Sequence, residues 1–279
     1  MPQTIERDLW CERRLFGSHA IADPVSFVTG FVMLFIFLWL PRIHNKFADV
    51  ADCPALHLFV LSKASMVILA IGTIIFHAIP YETSTNHFNI NLNMFDWVPM
   101  VVTLSVLVIL YLHSLNIQKF GFLAWLSTYT AVIAWGCFLI IGMDTVMYNS
   151  MGNSAQLALF KWESVLNLLL LTPVLCLLAY CTWAVLGFEA TQRLWMLLVG
   201  ALAVWLVNVY GCPAWNGLAV LHGAYHVLIA LALVHAACLG LLIRGDWELS
   251  HNGFELRYKK SPSSENMDSW WILALHSRH

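Results

Sequence analysis

The sequence predicts an all-α membrane protein folded as a seven-transmembrane-helix bundle, and three observations carry that expectation. Hydrophobic residues make up 60% of the 279-residue chain and charged residues 11%, a balance far from that of soluble domains. Seven apolar runs long enough to span hydrocarbon lie at roughly 24–41, 56–79, 95–113, 121–142, 163–186, 194–210 and 218–243. The connections between them are short, so the chain reads as one compact bundle with no separate soluble domain.

Taken in order, residues 1–23 form a charged extracytosolic or lumenal segment, residues 24–243 the membrane domain and residues 244–279 a cytosolic tail. The opening segment carries Glu6, Arg7, Asp8, Glu12, Arg13 and Arg14 and no early apolar stretch, so a cleavable signal peptide is not expected. The first run starts at a lip formed by Asp23-Pro24, the second ends in IGTIIFHAIP, the third begins with NMFDWVPM, and the seventh is GLAVLHGAYHVLIALALV. Asp144, Lys161 and Glu163 flank the connection between the fourth and fifth runs as solvated loop charge. Seven cysteines are scattered with no CxxC pair and read as small apolar packing residues. The tail, with LRYKKSPSSEN, is polar enough to be loosely ordered, whereas WWILAL near its end suits contact with a membrane or partner. Arg42, Lys46, Lys119, Arg193, Arg244 and the basic residues of the tail fall on one side, which the positive-inside rule makes cytosolic. A net charge of −2 implies no nucleic-acid partner.

The residues that carry chemistry converge on one membrane depth. His222 and His226 are four apart, so they share one face of the seventh helix within its first two turns. Imidazole is costly in hydrocarbon without a partner, which makes such residues functional candidates. A lone membrane histidine more often bridges two helices by a hydrogen bond, but two on one face can bind a single metal ion. His77, at the outer end of the second helix, and Asp96, near the start of the third, reach the same depth. Three imidazoles with an open fourth position are a recurrent catalytic zinc arrangement. Zinc lowers the pKa of its water to about 7, and Asp96 would accept the proton as general base. Thr73, four residues before His77 on the same face, would offer its hydroxyl to an oxyanion. His235 lies nine positions after His226, about half a rotation away, and reads as packing. Lys63, inside the second run, would snorkel to the headgroups.

Thr73-x-x-x-His77, then Asp96 within FDWVPM, then His222-x-x-x-His226 resembles the alkaline ceramidase family. That family belongs to a superfamily of seven-helix membrane hydrolases that includes the adiponectin and progestin receptors. Trp10-Cys11-Glu12 and Asp23-Pro24 are similar to its opening motif, so the resemblance spans nearly the whole chain. It implies a zinc-dependent intramembrane amidase that hydrolyses ceramide, or a related N-acyl lipid, to a sphingoid base and a fatty acid. It also implies a multi-pass location in the endoplasmic reticulum or Golgi, with a bacterial inner membrane as the other option. Carried over residue by residue, His77, His222 and His226 hold zinc, Asp96 activates water, and Thr73 stands where the family usually has serine. The family also builds a calcium site near its N-terminus. Trp10, Glu12 and Asp23 match that site, while Leu9 replaces an aspartate and Arg14 an asparagine. Calcium needs several oxygen ligands and a guanidinium opposes it, which favours a calcium-free reading in which Arg14 pairs with Glu12 or Asp23.

Two other classes stay open: an ester hydrolase acting on phospholipids through the same site, and a receptor-like or structural seven-helix protein that retains zinc without turnover. A bis-histidine haem protein needs axial ligands from facing positions, whereas His222 and His226 share one face.

Overall fold

The computed structural model describes residues 21, 23–43, 54–79, 86–115, 172–211, 215–245, 247–249 and 255–258. Most of them lie in six α-helices: α1 Pro24–Trp39, α2 Pro54–Ala78, α3 Asn86–Ser114, α4 Thr172–Leu186, α5 Phe188–Gly211 and α6 Val220–Leu242. A 3-10 turn, Asn216–Ala219, leads into α6. Among the described residues, Ala55–Ala78, Phe188–Asn208 and Val220–Leu242 are long and apolar enough to cross a membrane. Pro24–Trp39, Val98–Ser114 and Val174–Leu186 are shorter apolar helices. These six helices fall on the first, second, third, sixth and seventh apolar runs and on the latter part of the fifth. The fourth run, at 121–142, lies outside the described residues, as do Trp10, Glu12 and the WWILAL segment.

Local chemistry sets the helix ends. Pro24 opens α1, where its fixed φ suits the first helical turn and its missing N–H costs nothing. The helix stops at Leu40, whose extended backbone precedes Pro41 and whose N–H still donates to the Ile36 carbonyl at 2.8 Å. Gly187, at φ +85°, takes the left-handed conformation that ends α4, and its N–H donates to the Trp183 carbonyl at 2.9 Å. The chain can therefore start α5 at once.

The core gathers around α6, which packs against α1, α2, α3 and α5. Ala230, Ala232, Ala236 and Ala237 are fully buried along it, and such small residues let neighbouring backbones come close. Phe37, Phe59, Met66, Leu107, Leu110 and Leu194 fill the space between the helices. On the outside, Phe31, Phe35 and Leu38 of α1 and Met196, Val199 and Val207 of α5 are exposed. An apolar exterior of this kind suits lipid chains better than water. Inside, Tyr111 of α3 donates to the Ala236 carbonyl of α6 at 3.0 Å. The Thr182 hydroxyl of α4 shares its proton between the Leu178 carbonyl at 2.7 Å and the Tyr111 oxygen at 3.0 Å.

The all-α expectation needs one correction. Three short strands, β1 Arg42–Ile43, β2 Trp247–Leu249 and β3 Glu255–Tyr258, form a sheet of order β1-β3-β2. β1 pairs parallel to β3 with Arg42 opposite Glu255, and β2 pairs antiparallel to β3 with Leu249 opposite Leu256. The expected loose order of the tail therefore does not hold for 247–249 and 255–258. Trp247 and Leu256 are buried in the helical core, and that apolar anchorage orders an otherwise polar stretch. Beside the sheet, the Arg42 guanidinium lies 5.3 Å from the ring centre of Trp39.

Candidate metal centre

At the end of the bundle opposite the sheet, the start of α1, the end of α2, the first part of α3 and the start of α6 meet. His77 occupies the last turn of α2, and His222 and His226 the first two turns of α6. All three are buried. Ring centres are 5.2 Å apart for His77 and His222, 5.1 Å for His77 and His226, and 4.7 Å for His222 and His226. None of the pairs is stacked; the rings are tilted or edge-on, turned around a shared centre.

One nitrogen from each ring lies within 4.8 Å of the others. Atoms so spaced fit within about 2.8 Å of a common point, against the roughly 2.0–2.1 Å of a zinc–imidazole bond. The difference is under about an ångström per ligand, which side-chain rotation supplies. The donor set therefore fits a divalent metal that favours nitrogen ligands.

His77 shows how one ligand is prepared. Its Nδ1 lies 3.0 Å from Asp23 Oδ2, with both side chains buried. Its Nε2 is buried and has no hydrogen-bond partner among the described residues. A carboxylate on one ring nitrogen and a bare, inward second nitrogen is the usual preparation of a metal-binding histidine. Asp23 makes no side-chain cap to its own helix, although aspartate at an N-cap position is suited to one. Its carboxylate is turned to His77 instead, and its backbone N–H donates to the His77 carbonyl at 3.1 Å. Two bonds thus latch the start of α1 to the end of α2.

Asp96 and Thr73 complete the cluster. Thr73 donates its hydroxyl to Asp96 Oδ1, and the Asp96 carboxylate is near enough to His77 for direct electrostatic interaction. The proton expected to serve an oxyanion is thus committed to Asp96 here. Contact between α2 and α3 makes this possible: a Cβ on Gly72 would stand 1.8 Å from the Phe95 carbonyl oxygen. Only glycine lets the two backbones touch there, one residue before Thr73 and one before Asp96. Gly223, between the two histidines of α6, plays the same part against α1, where a Cβ would lie 2.8 Å from Val25 and 2.9 Å from Thr29.

Six of the residues singled out in the sequence, Asp23, Thr73, His77, Asp96, His222 and His226, are brought to this one end. Trp10 and Glu12, the other two calcium candidates, lie outside the described residues. The sequence reading missed Thr29, whose Oγ1 is 3.3 Å from His226 Nδ1. It also missed Tyr225, which neighbours both the His226 ring and the Asp96 carboxylate. Tyr225 sits beside His226 in the chain, which was its one visible signal; Thr29 had none. No protein-family model matches the chain, and no curated protein matches its sequence.

Proposed function

We propose that this protein is a zinc-dependent membrane amidase that hydrolyses ceramide or a related N-acyl lipid to a sphingoid base and a fatty acid. One observation carries the reading: a buried three-imidazole set with a hydroxyl-held carboxylate beside it, converging from three helices. The order of Thr73, His77, Asp96, His222 and His226, which resembles that of the alkaline ceramidases, supports the choice of substrate.

His77, His222 and His226 would hold the metal, and zinc bound there supplies a Lewis acid and a water of near-neutral pKa. The remaining steps belong to the chain itself. Asp96, oriented by Thr73, takes a proton from the attacking water as its oxygen adds to the amide carbon. Once protonated, Asp96 no longer needs the Thr73 proton, and that hydroxyl is released to donate to the oxyanion. Asp96 then returns its proton to the departing nitrogen as the C–N bond breaks. One water is consumed, and a fatty acid and an amine leave. Asp23 acts through His77, keeping the proton on Nδ1 and Nε2 available to metal. This engagement of Asp23 supports the calcium-free reading.

His77 ends α2 and His222 begins α6, so the site lies near the helix ends rather than at mid-span. An amide at the base of a lipid headgroup sits at that depth while its acyl chains stay in hydrocarbon. That match supports a lipid substrate. The resemblance supports a multi-pass protein of the endoplasmic reticulum or Golgi, with a bacterial inner membrane as the other option, and the loop charges support a cytosolic C-terminus.

Metal analysis of the purified protein, paired with fatty-acid release from a panel of ceramides, other N-acyl lipids and phospholipids, tests the proposal. About one zinc per chain and release from ceramide are expected. Asp96→Asn should keep the zinc and lose about a hundredfold or more of the hydrolysis. Zinc without release from any lipid would replace the amidase by the receptor-like reading, and release from phospholipids alone would replace it by an ester hydrolase.

A further inference from the structure

Two of the three imidazoles are held from one short stretch of α1. Asp23 takes His77 Nδ1 at 3.0 Å, and Thr29, less than two turns further on, places Oγ1 3.3 Å from His226 Nδ1. The hydroxyl proton of Thr29 has its own destination, because Oγ1 donates to the Ser26 carbonyl within the same helix at 3.1 Å. A hydroxyl that donates in one direction keeps its lone pairs for the other, so Thr29 meets the imidazole as an acceptor. An acceptor against His226 Nδ1 favours a proton on that nitrogen. That tautomer leaves the lone pair on Nε2, the nitrogen then available for a metal.

The approach of Thr29 depends on α6 carrying no side chain at position 223. A Cβ there would stand 2.9 Å from Thr29 Cγ2 and 3.2 Å from Oγ1, pushing α1 away from the histidine one turn later. The geometry points to Thr29 as a positioning residue that fixes the tautomer and ring plane of His226 for metal binding, as Asp23 does for His77. The inference rests on the metal-site reading above and concerns a residue outside the three-histidine set.

Zinc affinity of the full-length protein, measured by competition with a chromophoric chelator, separates the two ideas. Wild type is compared with Thr29→Val, which keeps the shape and loses the hydroxyl, and with Thr29→Ser, which keeps the hydroxyl and loses the methyl group. Thr29→Val should bind zinc about tenfold or more weakly, the scale seen when a histidine loses its outer partner. Thr29→Ser should bind within about threefold of wild type, far short of that loss. The opposite pattern, with valine near wild type and serine weakened, makes Thr29 a packing residue and overturns the inference. If Thr29→Val does not yield folded protein, Thr29→Ala takes its place, and wild-type affinity in that variant overturns the inference equally. Wild-type protein that holds no zinc sinks the metal-site reading itself, and the Thr29 inference with it.

Discussion

Toward the sheet, the Tyr111 hydroxyl donates to Ala236 and receives a share of the Thr182 proton, joining α3, α6 and α4 in a network where each hydroxyl has a partner. At the other end of the same bundle, His77 spends Nδ1 on Asp23 and leaves a buried Nε2 with no partner among the described residues. Both clusters sit in an apolar interior, where an unsatisfied polar atom is expensive. The first meets that cost internally and is finished as it stands. The second does not close in this way: one nitrogen from each of three imidazoles lies within 4.8 Å of the others, a spacing that could hold a metal ion. Burial alone therefore does not mark a functional site here. What separates the two ends is whether the hydrogen bonds close on themselves.

The largest effect that would test this contrast comes from the ligands. His222→Ala or His226→Ala should abolish zinc retention, because each removes a bond from a set of three. Zinc content unchanged from wild type would make the histidine end as self-contained as the Tyr111 end. A smaller effect is expected from Gly72→Ala, whose new Cβ meets the Phe95 carbonyl, a backbone atom that cannot swing aside. The helices must part, at a cost of about 1–3 kcal/mol in a thermal melt. The Thr73–Asp96 bond should open with them, so hydrolysis falls while zinc stays. A Gly72→Ala protein of wild-type stability and activity would show that this contact does not position Asp96. The smallest effect belongs to Tyr111→Phe. The Ala236 carbonyl keeps its helical bond and Thr182 keeps Leu178, so about 1 kcal/mol of stability should go, with zinc content unaltered. Loss of zinc in that variant would join two clusters that the structure keeps apart.

What the sequence could announce followed from short-range periodicity. His222 and His226, and Thr73 and His77, are each four apart and share a helix face by geometry alone. Long apolar runs mark helices in the same direct way, and the described helices fall on them. Other features depended on distant partners. Asp23 looks like a helix cap or a cation ligand until α2 is seen to end beside it. Thr29 is an ordinary membrane-helix threonine until α6 is packed against it. Gly72 and Gly223 do not reveal from the chain that a carbonyl or another helix stands over them. The strands escaped because two to four residues are too few to show alternation, and their order comes from the core beneath Trp247 and Leu256.

The parallel pairing of Arg42 with Glu255 has a consequence in time as well as space. The strand that secures the far end of α1 leaves the ribosome more than two hundred residues after α1 itself. Contacts between such distant positions form late, since the intervening loop must first be closed. The latch between Asp23 and His77 joins consecutive helices and does not have to wait for that strand, whereas Thr29 must wait for α6. The alignment of Thr29 with His226 is complete only when most of the described chain has been made.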